Sequence, residues 1–261
     1  MFPEINLGSV HMGVFPLCAG AGLMAIVLWV LTSMKRMGLD ARLQERITEC
    51  IPFCLLFGVV TGCASDVLLR IGVVRALAEP AKIGMTFYGW LLGCCVALAC
   101  YAKARRISVL FVLDLFLPSF ALAQAIGRIG CFCGGCCFGC PAFGWLPGVT
   151  YPEGSLPALR YGAVPLVPVQ LIESAYLFFV FVVLARFVKF KRRAAAYFML
   201  SGFGRFFLEF LRGDVRGGVW CLSFLSPAQL VGLALISAGL VMFRRKYTQA
   251  FDTIIKTGAL R

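Results

Sequence analysis

Residues 109–139 read VLFVLDLFLPSFALAQAIGRIGCFCGGCCFG, and this stretch places an arginine almost directly after an apolar run. The run Val109–Ile126 is nearly long enough to cross a bilayer as a helix, which takes about 20 residues. Arg128 is therefore predicted at the end of a transmembrane helix. A charge at or near the hydrocarbon is costly unless it is paired or faces water, so intramembrane arginines usually mark function. The glycines around Arg128 would let the backbone approach a ligand or another helix closely.

The composition of the whole chain indicates a polytopic membrane protein. Of its 261 residues, 61% are hydrophobic and 14% are charged, and the mean hydropathy is +0.89. Soluble domains carry about 45–50% apolar and about 25% charged residues. We predict an all-α fold with seven transmembrane helices, over residues 14–34, 50–69, 86–102, 109–126, 166–185, 194–211 and 226–243.

The basic residues predict the orientation of these helices. The formal net charge is +13, and lysines and arginines concentrate in four segments, at residues 35–46, 103–106, 186–193 and 244–261. Loops rich in lysine and arginine stay in the cytoplasm. The pattern predicts an N-terminus outside, a cytoplasmic C-terminus and a short cytoplasmic tail over 244–261. It also accounts for the basic excess through topology and attraction to anionic lipid, which argues against a nucleic-acid partner.

The chain is predicted to form a single transmembrane domain, residues 1–261, with one long outer loop over residues 140–165. That loop is rich in proline and glycine and contains Trp145, Tyr151 and Tyr161. Tyrosine and tryptophan favour the membrane interface. Two interpretations stay open: an ordinary interfacial loop, or a loop that gates a cavity.

Polar residues within the predicted spans form one candidate site on the outer side. Arg205 and Glu209 are four residues apart, and Arg212 follows three later, so the three adjoin on a helix. Glu173 could pair with Arg128 or with Arg205. Two arginines that face one cavity would bind phosphate oxygens bidentately, which favours a site for a phosphate-bearing lipid over the alternative, a structural salt-bridge network.

Five of the thirteen cysteines fall within ten residues: Cys131, Cys133, Cys136, Cys137 and Cys140. Their spacing permits a zinc or iron–sulfur site. A disulfide in an oxidising compartment is a second interpretation. The third is packing, because buried cysteine behaves as a small hydrophobe. No metal or cofactor is included in our prediction.

At these residues the sequence resembles the prolipoprotein diacylglyceryl transferase family. Five segments match family motifs in order, which are GSVHMGVFPLCAGAGL (8–23), GMTFYGWLLG (84–93), PSFALAQAIGRIGCFCGGCCFG (118–139), VPVQLIES (167–174) and GRFFLEFLRGD (204–214). The third matches the family signature G-R-[IL]-[GA]-N-F-x-N-x-E-x-x-G. The resemblance covers most of the chain and implies seven helices with the N-terminus outside.

The resemblance implies an enzyme of the bacterial inner membrane without a cofactor. Such an enzyme transfers a diacylglyceryl group from phosphatidylglycerol to the lipobox cysteine thiol of a prolipoprotein, and glycerol phosphate leaves. Position by position, it implies catalytic roles for Arg128, Arg205 and Tyr88. It also implies a set of substrate-binding residues, namely Gly127, Cys131, Gly139, Gln170, Glu173, Glu209 and Arg212.

The chain departs from the family pattern where proton transfer and orientation are expected. The family's histidine is Tyr88, and its signature asparagine and glutamate are Cys131 and Cys136. Tyrosine, with a reference pKa of about 10, would donate a hydrogen bond to phosphate rather than act as a base. Three interpretations stay open: a divergent transferase with the same phosphate clamp, a changed thiol substrate or lipid, or an inactive relative. A membrane metal or redox protein built on Cys131–Cys140 is a further alternative.

Overall fold

The computed structural model describes residues 4–7, 10–68, 72, 84, 86–213 and 225–244, with side chains from residue 13 onward except those of Phe87 and Tyr88. The chain divides into two compact units. The first comprises Met1–Val30 and Leu113–Arg261, and the second Leu31–Val112. The single domain predicted from the sequence, over residues 1–261, stays a prediction.

Helices dominate the described residues. In chain order they are α1 (Val14–Arg36), α2 (Ala41–Asp66), α3 (Phe87–Arg105), α4 (Val109–Cys133), α5 (Leu156–Tyr161), α6 (Val169–Arg186), α7 (Arg193–Leu208) and α8 (Pro227–Arg244). Short 3₁₀ turns precede and follow α7, at Phe190–Arg192 and Glu209–Leu211.

Six helical segments within the described part of the chain are long and apolar enough to cross a membrane. They are α1, α2, α4, α6, the segment Phe190–Leu211 that contains α7, and α8. The prediction of a polytopic, helical membrane protein is thereby confirmed. The predicted third span forms helix α3 but is not among the six, so the count of seven and the orientation stay predictions.

The N-terminal residues depart from the all-α prediction. Strands β1 (Glu4–Leu7) and β2 (Val10–Gly13) pair antiparallel, with Glu4 opposite Gly13 and Leu7 opposite Val10. This hairpin lies before the first apolar run, where hydropathy carries no helical signal.

In the first unit, glycines and buried hydrogen bonds join the helices. A Cβ at Gly202 of α7 would crowd the Gly232 carbonyl oxygen of α8, and one at Gly232 would meet the Gly202 oxygen at 2.9 Å. Small residues allow this close approach of membrane helices. Ser174 on α6 donates to the Ala125 carbonyl of α4 at 2.8 Å, and Tyr176 on α6 donates to the Leu200 carbonyl of α7 at 2.7 Å. These contacts fix the ends of α4, α6 and α7, which carry the candidate site.

The second unit is built on the pair α2 and α3. The Thr61 hydroxyl on α2 donates to the Gly89 carbonyl of α3 at 3.0 Å, and the Tyr101 hydroxyl on α3 donates to Glu49 at 2.9 Å. Arg105 forms an ion pair with Glu49 at 3.0 Å, and both side chains are about half exposed. This exposed pair offers a comparison for the buried ion pairs of the first unit.

Candidate functional site

Five charged side chains meet in the first unit, supplied by α4, α6, α7 and the segment after α7 that contains the 3₁₀ turn and Arg212. The Glu173 carboxylate of α6 lies 2.8 Å from an Arg128 nitrogen, 3.9 Å from one of Arg205 and 3.6 Å from one of Arg212. Glu209 lies 3.2 Å from Arg205 and 4.0 Å from Arg212. The two pairings that the sequence allowed for Glu173 both form, and Arg212 adds a third.

Burial differs among the arginines of this cluster. The Arg212 side chain is 2% exposed, while those of Arg128 and Arg205 are 23% and 18% exposed. Three guanidinium groups face two carboxylates, so these five residues carry one excess positive charge. Arg128 and Arg205 are the members with surface left to contact a ligand.

The helix ends give the arginines a favourable setting. Arg205 lies in the last turn of α7, where the partial negative charge of the helix C-terminus stabilises a cation. Glu173 lies in the second turn of α6, beyond the first turn in which the helix dipole chiefly acts. The helix dipole therefore favours the charge of Arg205, whereas Glu173 is held by its arginine partners.

Ser226 secures Glu209 and was not identified from the sequence. Its hydroxyl donates to Glu209 at 3.0 Å and also accepts the Gln229 backbone N–H at 3.2 Å, while the Ser226 N–H donates to the Gln229 side chain at 2.9 Å. The last two bonds form a reciprocal capping box at the start of α8. The Ser-Pro-Ala-Gln sequence signals this cap, but nothing local signals its contact with Glu209.

Gly139 lies where three chain segments pack together. It bridges Arg212 in antiparallel fashion, and Cys140 N–H donates to the Leu211 carbonyl at 2.9 Å. Val167 N–H donates to the Cys140 carbonyl, also at 2.9 Å. A Cβ at Gly139 would overlap the Val167 carbonyl oxygen, so only glycine fits. The residue holds the backbone of Arg212 in place.

Gly127 has a different environment from Gly139, although the same motif predicted both. It lies within α4, one residue before Arg128. A Cβ built there would meet no atom of the described structure within 4 Å. The space beside Gly127 is therefore open next to the Arg128 backbone.

Gln170 connects the outer loop to the end of α4. The side chain is 1% exposed, and its amide donates to the Cys136 carbonyl at 2.8 Å and to the Tyr151 hydroxyl at 3.1 Å. Burial raises the pKa of the Tyr151 hydroxyl, which keeps this group protonated and able to donate. Gln170 thus contacts protein groups and positions the loop beside the arginines.

Three cysteines line the same region. The sulfurs of Cys131, Cys136 and Cys137 lie within 4.8 Å of one another, and each residue is half-buried. Cys133 and Cys140 do not belong to this group. The Cys136 thiol donates to the Cys131 carbonyl at 3.7 Å. The neighbouring Cys131 and Cys136 thiols lower the pKa of the Cys137 thiol, and Arg212 beside it acts in the same direction. The described cysteines are free thiols.

Tyr88 belongs to the second unit and its side chain lies outside the described residues. The structure brings together Arg128, Arg205, Glu173, Glu209 and Arg212. Cys131 and Gln170 lie in the adjoining contacts with Cys136. The predicted role of Tyr88 stays a prediction.

The family and the relatives that match this chain carry the same description. A family described as prolipoprotein diacylglyceryl transferase matches residues 4–245. The chain is 34% identical over 200 residues to the phosphatidylglycerol–prolipoprotein diacylglyceryl transferase of Clostridium tetani, covering 72% of this chain and 77% of that protein. Proteins of the same name from Dehalococcoides mccartyi and Bacillus cytotoxicus are 28% and 27% identical, covering 94% and 95% of both chains respectively.

Proposed function

This chain belongs to the prolipoprotein diacylglyceryl transferase family and is a membrane transferase, and we propose how its charged cluster serves the reaction. The donor is phosphatidylglycerol, and the acceptor is the lipobox cysteine thiol of a prolipoprotein. The diacylglyceryl group moves to the sulfur, and glycerol phosphate is released. The observation that carries this proposal is the cluster of three arginines and two glutamates with one excess positive charge.

The single excess positive charge of the cluster is equal and opposite to the charge of the phosphatidylglycerol phosphodiester. A phosphodiester carries a single negative charge, so its binding beside Arg128 and Arg205 would leave the group neutral. Guanidinium groups suit phosphate because their paired N–H groups match two oxygens at once. A buried site also makes this attraction stronger than it would be in water.

The arginines take different parts in this arrangement. Arg128 and Arg205 are partly exposed and contact the phosphate, whereas Arg212 is buried against both glutamates and holds them in position. Glu173 and Glu209 orient the guanidinium groups so that little rearrangement is needed when the phosphate arrives. Such preorganised charge is a large source of catalysis where negative charge develops.

The chemical step is a displacement at carbon. The thiolate sulfur attacks the glycerol carbon that carries the phosphate ester, the C–S bond forms, and the C–O bond breaks. The bonding electron pair passes to the phosphate oxygen, and the thiol proton is lost to a base before attack, because the thiolate is the nucleophile. The two partly exposed arginines, Arg128 and Arg205, stabilise the charge that accumulates on the departing phosphate. The role of Tyr88 is carried over from the family motif alone, as a predicted hydrogen-bond donor to the phosphate.

The outer loop 140–165 is proposed to lie at the membrane interface. Tyr151 of this loop forms a small buried cluster with Phe138 and Leu166, and Tyr161 of the loop packs against it. Trp145 is 90% exposed, and Phe143, Leu156 and Leu159 are also exposed. Apolar side chains fixed on an anchored loop suit insertion among lipid headgroups. We also propose that the chain crosses the bacterial inner membrane seven times, with its N-terminus on the outer side.

A transfer assay tests the function. The protein is reconstituted with phosphatidylglycerol and a lipobox peptide, and the peptide mass is followed. We expect a diacylglyceryl mass gain that is lost in Arg128→Ala and in Arg205→Ala. Arg105→Ala is the control, since Arg105 pairs with Glu49 at the surface of the other unit.

Two results would contradict the proposal. Full transfer in both cluster variants would exclude the phosphate role of the arginines. No transfer by well-folded wild-type protein with phosphatidylglycerol would point instead to a changed donor or acceptor or to an inactive relative, and a panel of other phospholipids would distinguish these.

A further inference from the structure

The three thiols at the end of α4 come together through the way this helix terminates. Gly135 N–H donates to the Phe132 carbonyl at 3.2 Å, and Cys136 N–H donates to the Cys131 carbonyl at 3.1 Å. Gly135 has φ +65°, in the left-handed region. These three features define a Schellman motif, which brings the residue after the left-handed position back to the last turn of the helix.

In a Schellman motif, the residue after the left-handed position usually makes an apolar contact with a residue in the last turn of the helix. Here both are cysteines, Cys131 and Cys136. The next residue, Cys137, also has a left-handed backbone, with φ +59°. Residues other than glycine rarely adopt this backbone conformation, and those that do are concentrated at functional sites. The second left-handed residue turns the Cys137 thiol toward the other two, which gives the group of three sulfurs within 4.8 Å.

The surroundings hold this group in place. The buried Gln170 amide binds the Cys136 carbonyl at 2.8 Å, so the loop backbone is fixed from α6. Arg212 lies beside Cys137, and Arg128 lies near both Cys131 and Cys137. Two guanidinium groups therefore stand beside three potential thiolates and offset part of their negative charge.

We propose that Cys131, Cys136 and Cys137 form a binding site for a soft d¹⁰ metal ion held by three thiolates. Thiolate ligands select soft ions such as Cu⁺ and Zn²⁺ over hard ones. No carboxylate or histidine belongs to this group of described residues, which sharpens the preference. On binding, three thiol protons pass to solvent and no electron is transferred. A divalent ion with three thiolates carries one negative charge, which faces Arg128 and Arg212.

The experiment uses the full-length protein in detergent, reduced and then freed of reductant without oxygen. Cd²⁺ is the probe, because cadmium thiolates absorb in the ultraviolet. We expect one tightly bound Cd²⁺ per chain. Cys131→Ser, Cys136→Ser and Cys137→Ser are each expected to weaken it at least about tenfold, since even changes to groups that only orient ligands cost about 10–100-fold.

Two cysteine variants serve as matched controls. Cys133→Ser alters the same helix end without touching the group, and Cys54→Ser alters a thiol pair, Cys50 and Cys54, whose sulfurs are 3.6 Å apart in the other unit. Both are expected to keep the tight Cd²⁺ site. Its survival in any of the three site variants, or its loss in Cys133→Ser, would overturn the proposal.

A second measurement needs no variant and so does not depend on variant folding. The wild-type protein is alkylated with and without one equivalent of Cd²⁺, and each cysteine is read by mass spectrometry. Cys131, Cys136 and Cys137 are expected to be protected while Cys133 and Cys140 react as before. Uniform reactivity with Cd²⁺ present would show that these thiols only pack at the helix end.

Discussion

Replacing Glu173 with glutamine tests whether the charged cluster stabilises the protein as well as binding substrate. Glu173→Gln preserves the shape of the side chain and removes the charge that three arginines share. The nearest contact, to Arg128, is 2.8 Å, and the Glu173 side chain is 9% exposed. The variant raises the excess positive charge of the cluster from one to two and leaves Glu209 as its sole carboxylate.

The magnitude follows from burial and distance. At an effective dielectric constant of about 20, unit charges 2.8 Å apart attract by about 6 kcal/mol. Much of this gross attraction offsets desolvation, and removing one partner of a buried pair usually costs about 3–5 kcal/mol. The glutamine oxygen can keep a hydrogen bond worth about 1 kcal/mol, so we expect a net loss of about 2–4 kcal/mol. At about 2–4 °C per kcal/mol, the Tm should fall by about 5–15 °C.

The assay is thermal unfolding in detergent, followed by tryptophan fluorescence, with Glu49→Gln as the control. Glu49 makes an equally short ion pair, 3.0 Å to Arg105, but both partners are about half exposed. Exposed pairs contribute about 0–1 kcal/mol, so this variant should unfold within a few degrees of wild type. Equal shifts for the two variants would refute the reasoning, because they would show that burial of the cluster adds nothing.

Three further predictions rest on single contacts. Gly139→Ala should lower the Tm strongly in an unfolding experiment, because the added Cβ overlaps the Val167 carbonyl. Gly127→Ala should unfold like the wild type, and transfer kinetics should show a raised KM only if substrate fills the open space beside Gly127. Tyr151→Phe removes a buried partner of Gln170 and should cost about 1–3 kcal/mol in a denaturation experiment. Ser226→Ala removes the α8 cap and the donor to Glu209, which should cost about 1–2 kcal/mol and reduce transfer; Ser226→Thr should restore both, and failure of threonine to do so would contradict the hydroxyl role.

The helices could be predicted from the sequence because hydropathy records which segments face lipid. The first, fifth and seventh predicted spans end within three residues of α1, α6 and α8. The prediction for α2 began nine residues late. Its first two turns carry Arg42, Glu45 and Arg46, and Asp40 accepts the Arg42 N–H at their start. A polar extension of a membrane helix is invisible to a search for apolar runs.

The end of α4 was also underestimated, for a reason that involves packing. The helix continues past Ile126 to Cys133, and a Cβ at Gly130 would meet Cys18 of α1 at 3.0 Å. Glycine is a poor helix former, so the sequence suggested an ending where tertiary contact in fact maintains the helix. The consequence for the site is that Arg128 projects from a regular helix, which fixes its direction toward Glu173.

The charged cluster was predictable in part because two of its contacts are local. Arg205, Glu209 and Arg212 lie three and four residues apart, and helical geometry alone makes them neighbours. Glu173 of α6 contacts Arg128 of α4, Arg205 of α7 and Arg212 after α7. These residues are far apart in the sequence, so no local spacing predicts that they meet. Ser226 and Tyr151 act through similarly distant contacts, which explains why neither was assigned its role from the sequence.

The residues that follow the family pattern and those that depart from it form two adjoining groups. Arg128, Glu173, Arg205, Glu209 and Arg212 follow the pattern, and each forms an ion pair within the set. Cys131 and Cys136 depart from it, and they meet each other at the C-terminal cap of α4. The charged cluster draws both of its carboxylates from α6 and the turn after α7, so it does not depend on the asparagine and glutamate that the cysteines replace. Phosphate binding can therefore persist while the helix end takes on different chemistry.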